Sequence, residues 1–495
     1  LSTIKKFAGQ TAIYGISTIA SRILNFFLTP IYTKVYPVKV YGIFTEMYSY
    51  ASILNALLSF GMETTFFRYL NKREGQKELI YSNTFMMIAF ISSLFLFTAL
   101  LFVQPIAVWL KDATTTPLAD YVLYVKLFSL ILVTDALSVV PFARLRADGK
   151  PGRYSLLKLV NILTFISLNL IFIFVIPYII SNQLFGADFF ASWYKEKWVG
   201  YVFISNLVAS IITLVMLIPE LAKLQFKLDK KLLAEMMLYS LPIFVANLSF
   251  IVNENLDKIF LGRLLPASIS QAQVGIYGAC CKLAIFLSIF INAFRLGAEP
   301  FFFSHAKNAN AKQTYATIMN YFVLVITLIF VGLVANIEIL KYFIRNEAYW
   351  VGLDVVPVLL FGYVSLGIYM NLSIWYKLSD QTRYGLYISG VGAALTIVLN
   401  LIFIPHYGYM ASAWVSLTAY TSMMILSYIL GQKNYAIPYH LKQNVFYLLL
   451  SVVVVWLSFV YFKRDLIIGN LLFISYGLLI LYRERLQLRK MLSSF

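Results

Sequence analysis

From end to end the chain repeats one pattern, a long apolar run, a short charged or Pro/Gly-containing break, and then another run. Roughly twenty consecutive apolar residues carry a helix across the hydrocarbon core of a bilayer. Runs of that kind occupy 8–33, 41–70, 80–106, 119–143, 154–179, 198–219, 233–261, 273–302, 314–340, 353–376, 384–404, 409–431, 444–462 and 466–482. Within lipid each backbone N–H and C=O must find its partner in its own segment, so runs this long form helices. The expected fold class is an all-α membrane protein of about fourteen transmembrane helices. Composition excludes a soluble alternative. Sixty per cent of the residues are hydrophobic and only 13% charged, whereas soluble chains carry roughly a quarter charged residues.

The net charge of +18 would suggest nucleic acid in a soluble protein. Here it sits in short loops, where it reads as topology. With the N-terminus in the cytoplasm, inner segments hold 23 Lys and Arg, outer loops hold 10, and 7 of the 40 lie within spans. Both termini are therefore expected to be cytoplasmic. Lys5 and Lys6 precede a run that stays apolar to about Thr33, longer than a signal-peptide core, so no cleavable signal is expected. Cys280 and Cys281 are adjacent inside an apolar run and read as packing residues. No loop is long enough for a domain. The largest outer connection, about 180–197, mixes aromatic and charged residues and is expected to form a short interfacial helix.

The sequence repeats itself at longer range. Pro37, Tyr41-Gly42-Ile43-Phe44 and Phe60-Gly61-Met62-Glu63 are matched in order by Pro266, Val274-Gly275-Ile276-Tyr277 and Leu296-Gly297-Ala298-Glu299. Each copy begins on an odd-numbered span, so the copies share an orientation. The expected organisation is an N-terminal lobe over 1–232 (helices 1–6), a C-terminal lobe over 233–443 (helices 7–12), and two additional helices with a cytoplasmic tail over 444–495. Duplicated bundles of this kind alternate access around a shared cavity near the midplane.

Several stretches resemble a known family. They are Trp375-Tyr376-Lys377-Leu378-Ser379-Asp380-Gln381-Thr382-Arg383-Tyr384-Gly385, the run from Asn400 through Pro405-His406-Tyr407-Gly408 to Trp414, Asp257-Lys258-Ile259-Phe260-Leu261-Gly262, and Pro141-Phe142-Ala143-Arg144-Leu145-Arg146. Taken in order, they are similar to the Wzx-type O-antigen and capsular polysaccharide flippases of the multidrug/oligosaccharidyl-lipid/polysaccharide exporter (MOP) superfamily. The resemblance implies a two-lobed transporter of the bacterial inner membrane. Such a protein moves undecaprenyl-pyrophosphate-linked oligosaccharide from the cytoplasmic to the periplasmic leaflet, alongside the polysaccharide polymerase and assembly machinery.

A cation at mid-span costs about 2.5–3.5 kcal/mol on insertion scales, so a retained one faces a cavity or a partner. Arg22 lies near the middle of the first span, too deep to snorkel. Arg68 and Arg295 lie towards the inner ends of spans two and eight, near Glu63 and Glu299, and Arg68 reads equally as a snorkelling cation. Lys258 follows Asp257 and reads equally as half of an interfacial pair. The resemblance favours Arg22, Arg68, Lys258 and Arg295 as pyrophosphate-binding cations of a central cavity, and guanidinium suits phosphate through bidentate hydrogen bonding. Among the membrane acids Glu46, Asp135, Glu235, Glu254 and Asp257, the mid-span Asp135 is the candidate for coupling to a proton or sodium ion. The alternative is that these acids neutralise nearby cations.

His305, His406 and His440 fall in separate loops, and no catalytic or metal-ligand constellation emerges. The chain is therefore expected to be neither an enzyme nor a cofactor binder. Two rivals to the flippase reading remain: a multidrug cation antiporter of the same superfamily, whose pocket would need acidic character, and a membrane glycan polymerase or ligase, which would need larger outer loops.

Overall fold

The computed structural model describes residues 23–492 apart from 25, 74, 112–115, 226, 307 and 380, and of the side chains it leaves aside 296, 300, 304 and 486–492. Every expected span from the second onward has its helix, so the chain is an all-α, multi-pass membrane protein. Among the described residues eleven helices are long and apolar enough to cross a membrane, from Lys77–Leu101 to Leu466–Arg485, and Gly200–Met216 is a shorter apolar helix. The first expected span falls mostly outside the described residues, and Thr29–Val35 is helical near its end.

The second span departs from expectation. Hydropathy predicts a single helix over 41–70, but the structure has Val38–Ser59 and then Met62–Lys72. Between them Phe60 (φ 46°) and Gly61 (φ 66°) are both left-handed. Gly61 suits that conformation because it has no Cβ. It also lies against the 230–264 helix, where a Cβ would approach Ile243, Phe244 and Ser240 to 3.2–3.3 Å.

By packing, the chain separates into two compact units, 1–275 and 276–495. The helix Lys230–Leu264, which opens the second lobe read from the sequence, therefore packs within the first unit, largely against Val38–Ser59. In that unit Leu118–Ala147 lies between Lys77–Leu101 and Gly200–Met216. Its core is aromatic: Phe203 meets Phe128 at 4.7 Å and Tyr124 at 5.1 Å between ring centroids. At the C-terminal end of Leu118–Ala147, Arg144 forks onto both oxygens of Glu78 at 2.5 Å, and Arg153 reaches Glu220 at 3.0 Å. Lys77 pairs with Asp148. Burial alone would lift the Asp148 carboxyl; the hydrogen bond and charge of Lys77, with Arg144 and Lys223 behind it, override that and hold it below the ordinary aspartate range.

The 180–197 connection contains a helix of five residues, Ala187–Ala191. Lys195 anchors it to Asp120 at 2.9 Å, and Tyr194 stacks on Tyr201, which stacks on Phe172. Phe185, Phe189 and Trp193 are exposed, as side chains seated in a headgroup layer would be.

In the second unit Val355–Leu372 and Arg383–Tyr407 pack against Tyr409–Asn434, while Leu441–Trp456 and Leu466–Leu492 pack on Ala311–Ala335. Polar contacts hold the last two helices there. Tyr476 donates to Thr327 at 2.9 Å, Asn336 and Asn470 exchange amide bonds at 3.1 Å, and buried Glu484 accepts from Tyr447 at 2.6 Å.

Candidate functional site

Two helices carry polar stripes that lipid could not accept. On Ser270–His305, Ser288, Asn292, Arg295 and Glu299 fall at i, i+4, i+7 and i+11, one face of a helix. Asn292 turns its amide back to the Ser288 carbonyl at 2.8 Å. On Lys230–Leu264, Asn247, Glu254 and Lys258 likewise share a face. An intramembrane polar face lies in the bundle interior or along a water-filled cavity. Both stripes therefore belong to one of those two settings rather than to lipid.

The Arg295 stripe borders a small, solvent-open cleft of the second unit. Arg295, Glu299 and Lys377 line it together with Asn371, Ser373, Met370 and the rings of Phe294, Phe302 and Phe322. Lys377 pairs with Glu299 at 2.6 Å, and no described carboxylate lies within ion-pair distance of Arg295. The cleft thus holds two cations to one carboxylate. Asn371 adds a buried Nδ2 with no described protein acceptor. Lys377 and Asn371 are not among the site residues read from the sequence. By hydropathy Lys377 is a loop charge, although it stands in one of the segments that carry the family resemblance.

In the first unit Arg68 is exposed and stands over the Tyr239 ring, 4.2 Å from its centroid. Lys258 pairs with Asp257 at 2.9 Å and donates to the Glu254 carbonyl at 2.7 Å. The structure does not bring Arg68 and Lys258 together, because the helix rises roughly 28 Å from Tyr239 to Lys258. Arg22 lies outside the described residues.

The glutamates have partners other than their sequence neighbours. Glu63 is bound by Arg146, as Glu299 is by Lys377. The two sequence copies therefore carry the same brace: a glutamate of the second expected span held by a base from the end of the fourth, and a glutamate of the eighth held by a base from the end of the tenth. Among the other acids, Glu46 pairs with Arg263 at 2.7 Å and Glu235 with Arg73 at 2.8 Å, the neutralising role left open above. Asp135 differs. It accepts from Ser210 at 2.7 Å in a polar seam that also holds the Tyr48–Asn206 and Asn161–Thr213 hydrogen bonds, each 2.9 Å. Cys280 and Cys281 are unbridged.

Comparison with known proteins places the fold. The family model described as polysaccharide biosynthesis protein matches residues 7–304, and the model described as MatE matches 242–402. Curated protein sequences give no match. Among solved structures the chain is similar to the lipid II flippase MurJ in an inward closed conformation, at 13% identity and a TM-score of 0.71, covering 95% of this chain and 99% of that one. It is also similar to the MATE multidrug transporter DinF-BH, at 16% identity and a TM-score of 0.62, covering 88% and 96%. An inward-facing multidrug resistance MATE family transporter of the MOP superfamily aligns at 14% identity and a TM-score of 0.60, covering 86% and 94%. The chain belongs to the polysaccharide biosynthesis protein family and has the transporter fold of the MOP superfamily.

Proposed function

We propose that the protein is a flippase of the bacterial inner membrane that carries undecaprenyl-pyrophosphate-linked oligosaccharide from the cytoplasmic to the periplasmic leaflet. Two lobes, 1–232 and 233–443, rock about a cationic cavity, and both termini are cytoplasmic. The observation that carries the reading is the charge of the Arg295 cleft, two cations to one carboxylate, with the carboxylate already held by Lys377. A diphosphate leaving water needs unneutralised cations, and guanidinium supplies paired donors to it. Arg22, Arg68, Lys258 and Arg295 are the cations offered to the pyrophosphate headgroup. The lipid tail stays in the bilayer, and aromatic rings such as Phe294 and Phe322 cover sugar faces. A membrane potential negative inside favours outward movement of the anion by about 2.3 kcal/mol per charge per 100 mV. Asp135 is the residue at which a proton or sodium ion would couple.

The multidrug antiporter reading has the MatE match over 242–402 in its favour. A cationic drug would meet a cleft of its own sign, which favours the anionic headgroup. Vesicles reconstituted with a defined undecaprenyl-pyrophosphate-linked oligosaccharide test the choice. Protein-dependent appearance of the sugar in the opposite leaflet is expected. Efflux of cationic dyes without sugar translocation would replace the flippase with an antiporter.

A further inference from the structure

Gly42 and Gly275, which occupy matching points of the two sequence copies, meet in the structure. A Cβ on Gly42 would lie 2.0 Å from the Gln271 carbonyl oxygen, and one on Gly275 would lie 2.1 Å from that of Val38. The backbone of the 38–59 helix therefore touches that of the first turns after Ser270 with no side chain between them. One turn along, Glu46 is buried. Its Oε1 accepts from Arg263 at 2.7 Å, and its Oε2 accepts from the Gln271 amide. Gly262 makes room for this carboxylate, since a Cβ there would stand 2.7 Å from Oε1. Arg263 also donates to the Tyr50 hydroxyl at 3.1 Å and to the Trp109 and Leu110 carbonyls at 2.5 and 3.2 Å. By the charge rule all of this lies on the outer side.

We propose that Glu46, Arg263 and Gln271 form an ionic latch that holds the outer ends of the two lobes shut and opens in the outward-facing state. The inference rests on the two-lobed reading above, in which Glu46 belongs to one lobe and Arg263 and Gln271 to the other, while in this structure all three pack within the first compact unit. Fixing two helices permanently needs no buried charge, because apolar packing of similar volume does it at lower desolvation cost. A charge pair suits a contact that must also part, since both groups regain water when separated. The Glu63–Arg146 and Glu299–Lys377 pairs differ in kind: each joins helices that the same reading puts in one lobe. The three glycines give the latch its close approach.

The test is a thiol placed behind the latch. Ser49, one turn inward from Glu46 on the same helix, is buried. Ser49→Cys is labelled from outside with a membrane-impermeant maleimide in right-side-out vesicles without substrate, against the parent chain with its own Cys280 and Cys281. Slow labelling is expected with the latch intact, and labelling at least ten-fold faster in Glu46→Gln or Arg263→Gln. Gly275→Ala should give the same rise, since it pries the helices apart without altering a charge and stands in for any charge variant that does not fold. The double variant E46K/R263E should label more slowly than either single change. Unchanged labelling in both Glu46→Gln and Gly275→Ala overturns the latch. No substrate is present, so that result leaves the flippase reading standing, whereas a parent chain that moves no lipid-linked sugar overturns the flippase and not the labelling.

Discussion

Replacing Arg295 with alanine separates binding from folding. Arg295 is exposed and lines the cleft with no described carboxylate in ion-pair range, so removing it strands no described carboxylate. Exposed substitutions of that kind shift stability by no more than about 0.5 kcal/mol. The cleft, however, falls from two cations and one carboxylate to one of each, and its positive field disappears. A charge-assisted hydrogen bond contributes about 1.5–3 kcal/mol, which predicts a roughly ten- to hundred-fold weaker interaction with the diphosphate headgroup. Lysine at the same position keeps the charge but loses the paired geometry, and should fall between alanine and the parent. The assay is translocation of undecaprenyl-pyrophosphate-linked oligosaccharide in reconstituted vesicles as a function of its mole fraction, beside a melting curve in detergent. The expected result is a shifted concentration dependence at an unchanged melting temperature. Arg295→Ala with parental concentration dependence would refute the cationic-cleft reasoning, and a large drop in melting temperature would show that the residue is structural.

Four other changes report on other parts of the molecule. Arg144→Ala leaves Glu78 without its forked partner; because Glu78 is partly exposed, solvent offsets some of the loss, and a destabilisation of roughly 1–3 kcal/mol is expected in detergent unfolding. Gly431→Ala would put a Cβ 2.9 Å from the buried Trp375 ring and should cost about 1–3 kcal/mol through overpacking; an unchanged melting temperature would show that the ring yields. Asp148, held below the ordinary aspartate range, contributes stability that is complete above that range and lost as the pH falls from about 4 downward, so Asp148→Asn should flatten the acid limb of the stability curve and leave its neutral slope alone. Asp135→Asn should remove any dependence of transport on a proton or sodium gradient while sparing movement down the substrate gradient; retained gradient dependence would clear Asp135 of that role.

The spans are legible because lipid writes its demand locally: each run must satisfy its own backbone, and hydropathy records this residue by residue. The break at Phe60-Gly61 is not. Its left-handed φ angles leave no mark in hydropathy, although Gly61 stands inside the repeated motif, which is the place to look. Ion-pair partners escape a sequence reading for a related reason. Proximity in the chain sets Arg68 and Arg295 beside Glu63 and Glu299. The actual partners, Arg146 and Lys377, are 83 and 78 residues away, and only the tertiary fold brings them in. Arg263 and Lys377 pass as loop charges on the same ground, since a topology count weighs a cation by its side of the membrane and ignores its partner.

The repeated brace bears on function through what it leaves over. In each sequence copy, near the end that the charge rule puts inside, stand a glutamate and an arginine close in sequence, and left to themselves they would cancel. In both copies a base from two expected spans further on takes the glutamate instead, Arg146 for Glu63 and Lys377 for Glu299. The arginine keeps its charge. Arg68 meets the face of Tyr239, which stabilises a cation without neutralising it, and Arg295 faces the cleft. A scaffold gains nothing from an uncancelled cation at membrane depth, where it costs free energy, although Arg68 taken alone fits a snorkelling cation equally well. A carrier of anionic headgroups does gain, because the cost is returned each time a diphosphate binds and is incurred again when it leaves, so the site grips without trapping. On the flippase reading, the brace keeps each lobe's cation available to the substrate.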